Sequence, residues 1–314
     1  METILVTGAA GFIGSNLTEE LLKNNKVIGI DDFNDYYDPK RKEKNLEQAK
    51  THDNFTIIQV DIRDKTSLQD IFSQHKIDKI VHLAARAGVR PSIANPDLYQ
   101  EVNVQGTRNL LECATEFKVK TFIFGSSSSV YGTNEKTPFN EEDELNNIIS
   151  PYAQTKKDGE ELCKEFHNQH NLNITCLRFF TVYGPRGRPD MAPYIFTTKI
   201  LTNQPIDKYG DGSSQRDYTY VADIVQGIVA ALEKNLEFEI INLARGKTIT
   251  LNQFIETIEN VTEKKAIINQ MDKQEGDVPI TFGDITKAKS LLNYQPSTDL
   301  QEGIKNFMEW YQNE

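Results

Sequence analysis

Residues 7–14 read Thr7-Gly8-Ala9-Ala10-Gly11-Phe12-Ile13-Gly14. They sit between an apolar β-rich run, Thr3–Thr7, and a segment, Phe12–Lys23, in which Phe12, Leu17, Leu21 and Leu22 recur at helical spacing. Glycines at GxxGxxG spacing between a strand and a helix let the backbone approach a ligand more closely than any residue with a Cβ allows. The free N–H groups at the helix start, and the helix dipole, favour an anion there. A pyrophosphate fits such a turn, so Gly8, Gly11, Phe12, Ile13 and Gly14 are candidate dinucleotide-binding residues. A second strand, Lys26–Ile30, ends at Asp31. An acid at that place accepts hydrogen bonds from ribose hydroxyls and repels a 2′-phosphate, which favours NAD over NADP. The cluster Lys40-Arg41-Lys42 follows in a polar stretch, Asp32–Lys44, that reads as a loop, and it is expected to face solvent.

The alternation of strand and helix continues. Phe55–Val60, Lys79–Leu83, Thr121–Phe124 and Ile174–Phe179 read as short apolar strands. Helical patterns fall around Leu68, Ile71 and Phe72, over about Pro96–Phe117 and over Tyr152–His167. Uniformly apolar strands separated by helices indicate a parallel sheet covered on both faces, the doubly wound α/β (Rossmann) plan. After Thr181 glycine and proline become frequent and the elements short. The expected division is therefore a nucleotide-binding domain over residues 1–180, with returns near 216–245, and a smaller α/β substrate-binding domain over 181–314. Thr133–Ser150 is long for a structureless loop, and loops of that kind often act as lids.

Strand ends should line the cofactor in a sheet of this kind. Asp61-Ile62 follows the third strand, where a polar then an apolar residue suits an adenine ring. Leu83-Ala84-Ala85 follows the fourth, and its small residues leave room.

Of the 314 residues 38% are hydrophobic and 26% charged, an ordinary globular balance. No apolar run reaches the roughly 18 residues of a membrane span. Met1–Thr7 reads as a strand, so no signal peptide is expected there. The net charge of −11 argues against nucleic acid or an anionic membrane as partner. An anionic ligand then needs arginines gathered locally, and Arg86, Arg90, Arg178, Arg186, Arg188 and Arg216 are the candidates. Cys113, Cys163 and Cys176 form no CxxC and read as reduced core thiols, consistent with a cytoplasmic protein; no metal site is expected.

Tyr152 and Lys156 are four residues apart on a predicted helix and share a face. An ammonium beside a phenol favours the phenolate, which makes Tyr152 a candidate general base. Ser150-Pro151 suits the helix start as cap and first-turn residue. Tyr36 and Lys40 repeat the spacing, but Pro39 lies between them in a loop. The run Ser126-Ser127-Ser128-Ser129 is read as lying just beyond the strand Thr121–Phe124, where a serine can hydrogen-bond the oxygen that Tyr152 serves.

The segments TGAAGFIGS, HLAARAGVRPS, GSSSSVYG, SPYAQTK, LRFFTVYGPRGRPDMA, QRDYTYVADI and EGDVP together resemble the extended short-chain dehydrogenase/reductases, and within them the nucleotide-sugar 4-epimerases, UDP-glucuronate 4-epimerases most of all. The resemblance covers nearly the whole chain. It implies that Gly8, Gly11, Gly14, Asp31, Asp61, Ile62, Leu83, Ala84, Ala85, Asn103, Tyr152 and Lys156 bind NAD. It also implies that Ser127, Tyr152 and Lys156 are catalytic, that Ser128 and Ser129 adjoin the sugar, and that the enzyme is a homodimer built from the helices near Pro96–Phe117 and Tyr152–His167. For a UDP-sugar substrate it implies Tyr209 at the uracil, Arg216 at the diphosphate, Asp277 at the ribose and Arg188 as a partner for a C6 carboxylate. Related 4,6-dehydratases carry Asp and Glu where this chain has Ser128 and Ser129, so elimination chemistry lacks its acid and base, and reversible oxidation at C4 remains. Thr181 stands where UDP-glucose 4-epimerases carry Asn, which suits a glucuronate pocket. Thr281 replaces a bulky tyrosine and leaves space beside C2, so UDP-glucose and UDP-N-acetylglucosamine remain alternative substrates. A non-catalytic NAD-binding regulator is a further alternative, against which the intact Tyr152, Lys156 and Ser127 speak.

Overall fold

The computed structural model describes residues 1–273 and 278–313. Six strands in the first part of the chain are β1 (Thr3–Thr7), β2 (Lys26–Asp31), β3 (Phe55–Gln59), β4 (Lys79–His82), β5 (Thr121–Ser127) and β6 (Asn173–Phe179). Short strands follow: β7 (Thr181–Tyr183), β8 (Pro205–Tyr209), β9 (Gln215–Arg216) and β10 (Tyr218–Tyr220). Then come β11 (Phe238–Leu243), β12 (Ile249–Thr250), β13 (Ile267–Met271) and β14 (Ile280–Thr281). The main sheet has the order β11-β6-β5-β4-β1-β2-β3, parallel throughout. Its strand order reverses at β1, and in open sheets of this kind ligands bind beyond the strand ends at that crevice.

Successive side chains of β1 point to opposite faces, and both faces are buried. Ile4 and Val6 pack into one core, while Leu5 packs into the other. The Leu5 side is covered by α3 (Lys65–Gln74), α6 (Gly106–Glu116) and α7 (Pro151–His170), the Ile4 side by α1 (Phe12–Leu22) and α9 (Val221–Lys234). The Ile4-side core runs on without a break to Phe254 and Ile258 of α10 (Leu251–Thr262) and Ile304 of α12 (Leu300–Gln312). The smaller lobe, which also holds α8 (Ala192–Leu201) and α11 (Thr286–Leu292), therefore shares its core with the sheet.

Several elements differ from their sequence reading, each for a local reason. Asp32–Lys44 is not all loop: α2 (Pro39–Asn45) forms there, with Asp38 capping the backbone N–H of Lys40 and Pro39 at the first turn. Pro96–Phe117 is helical, but α5 (Pro96–Tyr99) passes through a π-helical segment, Gln100–Gln105, before α6; α4 (Val89–Ala94) precedes it. Strand β5 extends through Ser127 because Ser126 and Ser127 still pair with Arg178 and Phe179 of β6, so these serines end the strand rather than follow it. The stretch Thr133–Ser150 is pinned rather than free as a lid would be. Phe139 N–H donates to Phe282 O at 2.6 Å, Asp284 N–H donates to Phe139 O at 2.9 Å, and the Phe139 ring stacks on Tyr131.

Candidate active site

The glycine turn is close-packed against the end of β4. Gly8 has φ +68°, and a Cβ on it would stand 2.9 Å from Ala84 N; a Cβ on Gly14 would collide with the Gly8 carbonyl. Thr7 holds the turn in place. Its hydroxyl oxygen accepts from Leu83 N–H at 3.1 Å and Ala84 N–H at 3.0 Å, and it lies 2.7 Å from His82 Nδ1. On the other side His82 Nε2 lies 2.9 Å from the Thr107 hydroxyl, which donates to Asn103 O. With that donation fixed, His82 carries its proton on Nε2 and accepts at Nδ1. Burial keeps the ring neutral, helped by the charge of Lys156, and its pKa is lowered to about 3.

Asp31 is buried at the end of β2. It accepts from Ala10 N–H at 3.2 Å and from Phe33 N–H at 2.9 Å. Lys42 was expected in solvent, yet it is buried and donates to Asp31 at 3.1 Å. The turn of α2 explains this: Asn45 of the same helix donates to Ala10 O, drawing that face onto the glycine turn. Asp61 is partly exposed and accepts from Arg63 through both carboxylate oxygens, and Ile62 beside it is buried. Asn103 lies in the π-helical segment with both ends of its amide committed. It accepts from Arg86 N–H and donates to Arg86 O and the Thr155 hydroxyl. It thus ties the loop after β4, with half-buried Leu83, Ala84 and Ala85, to the helix that carries Tyr152.

Ser150 caps α7 through Ala153 N–H, with Pro151 at the first position, so Tyr152 stands in the first turn. Gly159 lets α7 lie close on β5, since a Cβ there would run into the Phe124 ring. One turn beyond Tyr152, Lys156 Nζ donates to Gly125 O at 2.7 Å. Burial lowers the Lys156 pKa to about 8, offset in part by the charge of Glu160. Burial pushes the Tyr152 phenol pKa up, and the neighbouring Ser127 hydroxyl and the charge of Arg188 pull it down. The charge of Arg188 thus bears on the phenol, while the Lys156 ammonium, one turn along the same helix, is held on the Gly125 carbonyl of β5. Ser127 Oγ also accepts from Ser129 N–H at 3.2 Å. The Ser129 hydroxyl is buried without a partner, and so is that of Thr281 in the other lobe.

Arg188 is partly exposed in the cleft. Its Nε and Nη2 donate to the two oxygens of Asp190 at 3.0 and 2.7 Å, and its guanidinium lies over the Tyr36 ring. Tyr36, set aside in the sequence, donates to Asp190 at 3.1 Å. Arg178 does not gather an anionic ligand. It is buried in a bidentate pair with Glu160, which also accepts from Ser126, and it donates to the Tyr131 hydroxyl. Arg186 pairs with Glu19.

The other expected substrate residues are spread over the second lobe. Thr181 begins β7 and pairs with Tyr218. Arg216 lies on β9 between Ile249 of β12 and Thr281 of β14, and Tyr209 closes β8. Asp277 falls outside the described residues. Asp217, which the sequence reading passed over, is fully buried and accepts from Arg245 and Gly246 N–H groups.

The structure thus sets the close-packed glycine turn and buried Asp31 at the ends of β1 and β2, and Tyr152 and Lys156 on α7 beside β5. The family model of GDP-mannose 4,6-dehydratase matches residues 5–307. A UDP-glucuronate 4-epimerase of Thermodesulfobacterium geofontis is 44% identical over 308 residues, covering 98% of this chain and 95% of that one. The crystal structure of a Bacillus cereus UDP-glucuronic acid 4-epimerase in complex with UDP-glucuronic acid and NAD superposes with a TM-score of 0.93 at 39% identity, over 99% of each chain. A Thermotoga maritima UDP-glucose 4-epimerase with UDP-glucose gives 0.91 at 32% identity, again over 99% of each chain.

Proposed function

The chain belongs to the GDP-mannose 4,6-dehydratase family, and we propose that within it the protein is an NAD-dependent UDP-sugar 4-epimerase interconverting UDP-glucuronate and UDP-galacturonate. The observation that carries this reading is the placement of Tyr152 in the first turn of the Ser150-capped helix α7, one turn before Lys156, whose Nζ is held on Gly125 O of the strand that ends at Ser127. Beside it Ser128 and Ser129 stand in place of the acid and base that a 4,6-elimination needs.

The glycine cradle at Gly8 and Gly14 and the buried acceptor Asp31 fit NAD. When bound, NAD supplies a reversible acceptor for the hydride of C4. The chain's own residues handle the proton and the sugar. Tyr152 Oη takes the proton of the C4 hydroxyl and returns one to the same oxygen after the ring has presented its other face. Ser127, at the end of β5, is assigned to hydrogen-bond the same reacting oxygen, and its nearness lowers the phenol pKa. Lys156 holds positive charge at the end of β5, one turn below Tyr152. The unpartnered hydroxyl of Ser129 supports a polar ligand at this spot. In the second lobe Thr181, Tyr209, Arg216 and Asp277 are assigned to the UDP-sugar on the family pattern.

Oxidation of UDP-glucuronate at C4 makes a β-keto acid. If the C5–C6 bond lines up with the carbonyl π system it breaks: its electron pair passes to C5 as an enolate, C6 leaves as CO2 and C5 takes up a proton. A planar guanidinium that fixes the carboxylate out of that alignment is suited to prevent this, and Arg188 is assigned that role. The test is nuclear magnetic resonance of the purified protein with UDP-glucuronate. UDP-galacturonate should appear without added cofactor; conversion of UDP-glucose or UDP-N-acetylglucosamine instead would move the substrate assignment.

We also infer a homodimer built from the helices near Pro96–Phe117 and Tyr152–His167. Light scattering at micromolar concentration should give twice the chain mass, and a monomer would refute it. Among the described residues no helix is long and apolar enough to cross a membrane.

A further inference from the structure

The Arg188–Asp190 pair raises a question for a site read as binding a carboxylate, because the arginine already holds one. Asp190 takes the side-on edge of the guanidinium, Nε and Nη2, through two hydrogen bonds. The guanidinium fork has five N–H groups, and a side-on carboxylate uses two of them. The end-on edge, formed by Nη1 and the outer hydrogen of Nη2, is not used by Asp190. Tyr36 completes the mounting from another element: its ring lies under the guanidinium, with the carbon of Arg188 5.6 Å from the ring centroid, and its hydroxyl donates to Asp190 Oδ2. Arg188 is thus fixed in plane by Asp190 and in height by Tyr36, while its charge reaches the Tyr152 phenol.

We propose that Asp190 is a positioning residue that mounts Arg188 side-on, so that the substrate's C6 carboxylate is received on the end-on edge in an orientation set by the chain. This rests on the UDP-glucuronate reading above. An end-on pair constrains both carboxylate oxygens to the guanidinium plane, and that plane is set by Asp190. Asp190 also offsets the arginine's charge. The ring of the 4-keto sugar can then turn more readily than it would against an uncompensated cation, with its carboxylate still held on the guanidinium. A swinging arginine would bind the carboxylate too, but in many orientations, some of which align C5–C6 with the carbonyl.

A double-mutant cycle tests this. Asp190→Ala, Asp190→Asn, Arg188→Ala and the pair Arg188→Ala/Asp190→Ala are compared with the wild type for kcat/KM on UDP-glucuronate and for the share of product released as UDP-4-keto-pentose. Thermal melting and NAD(H) content serve as folding controls. Asp190→Ala should lower kcat/KM by roughly tenfold or more, in the range for a lost charge-assisted pair, and raise the keto-pentose share. Asp190→Asn keeps one acceptor for the guanidinium and should recover part of both. If Asp190 acts through Arg188, the double variant should be no worse than Arg188→Ala alone. Losses that multiply in the double variant, or an Asp190→Ala that releases no keto-pentose, would overturn the proposal while leaving the epimerase reading intact. A wild type that does not convert UDP-glucuronate at all would overturn both.

Discussion

Lys42 Nζ lies 3.1 Å from Asp31 Oδ1, and both side chains are almost completely buried. The acid expected to choose between the two nicotinamide cofactors is therefore not a free charge but half of an ion pair, with Asp32 a second carboxylate at 3.7 Å. Two backbone N–H groups and Lys42 hold Asp31 in one orientation, which presets it as an acceptor for ribose hydroxyls.

This pair makes a prediction about stability and selectivity together. Lys42→Ala leaves a buried carboxylate without its cation and should cost roughly 3 kcal/mol of unfolding free energy, read by urea titration. Asp31→Ser removes the nearer of the two carboxylates beside Lys42 and should shift cofactor preference toward NADP, read by titration with both cofactors. The wild type should release NAD(H), and not NADP(H), when denatured. Unchanged selectivity in Asp31→Ser would show that the pair does not set it.

The phenol at position 152 should behave as the proton carrier. Tyr152→Phe should reduce turnover by about 10²–10⁴-fold with cofactor content unchanged. In the wild type, burial raises the phenol pKa while Ser127 and Arg188 lower it. The phenolate is the active form, so activity rises with pH through the phenol pKa. Removing Arg188 or the Ser127 hydroxyl removes a lowering influence and should move the acid limb of kcat/KM to higher pH. A limb that stays in place in both variants would separate Tyr152 from proton transfer.

His82 links acid stability to the cofactor cradle. Its folded pKa is depressed to about 3 by burial and by Lys156. Below its unfolded value of about 6.5 the unfolded chain takes up a proton that the fold refuses, so stability present above that pH is lost as pH falls. Between pH 6 and 4 the unfolding free energy should fall by up to about 1.4 kcal/mol per pH unit from this group. A His82→Gln variant should show a correspondingly shallower slope, and equal slopes would contradict the assignment.

Much of this was legible in the sequence, and the parts that were not have a common cause. The strand–glycine turn–helix start, the capped helix carrying Tyr152 and the parallel sheet all follow from local spacing, which a sequence displays directly. Lys42 looked like a loop cation because three basic residues in a row suggest solvent, and only the turn of α2 shows which of them faces Asp31. Arg178 was an open candidate for an anionic ligand. Its partner Glu160 lies four residues after Lys156, and that spacing was visible, but pairing across from β6 to α7 is tertiary. Thr7, His82 and Thr107 form one hydrogen-bonded chain from three separate elements, which no local pattern announces. Asp190, two residues from Arg188, and Asp217, next to Arg216, were accessible misses.

The most direct test of oxidation and return at one carbon is an isotope experiment. UDP-glucuronate carrying deuterium at C4 is incubated with the purified protein in ordinary water without added cofactor, and the products are read by nuclear magnetic resonance and mass spectrometry. The account predicts UDP-galacturonate with the deuterium still at C4 and no exchange at C5. Loss of the label to solvent, or appearance of solvent hydrogen at C5, would contradict it.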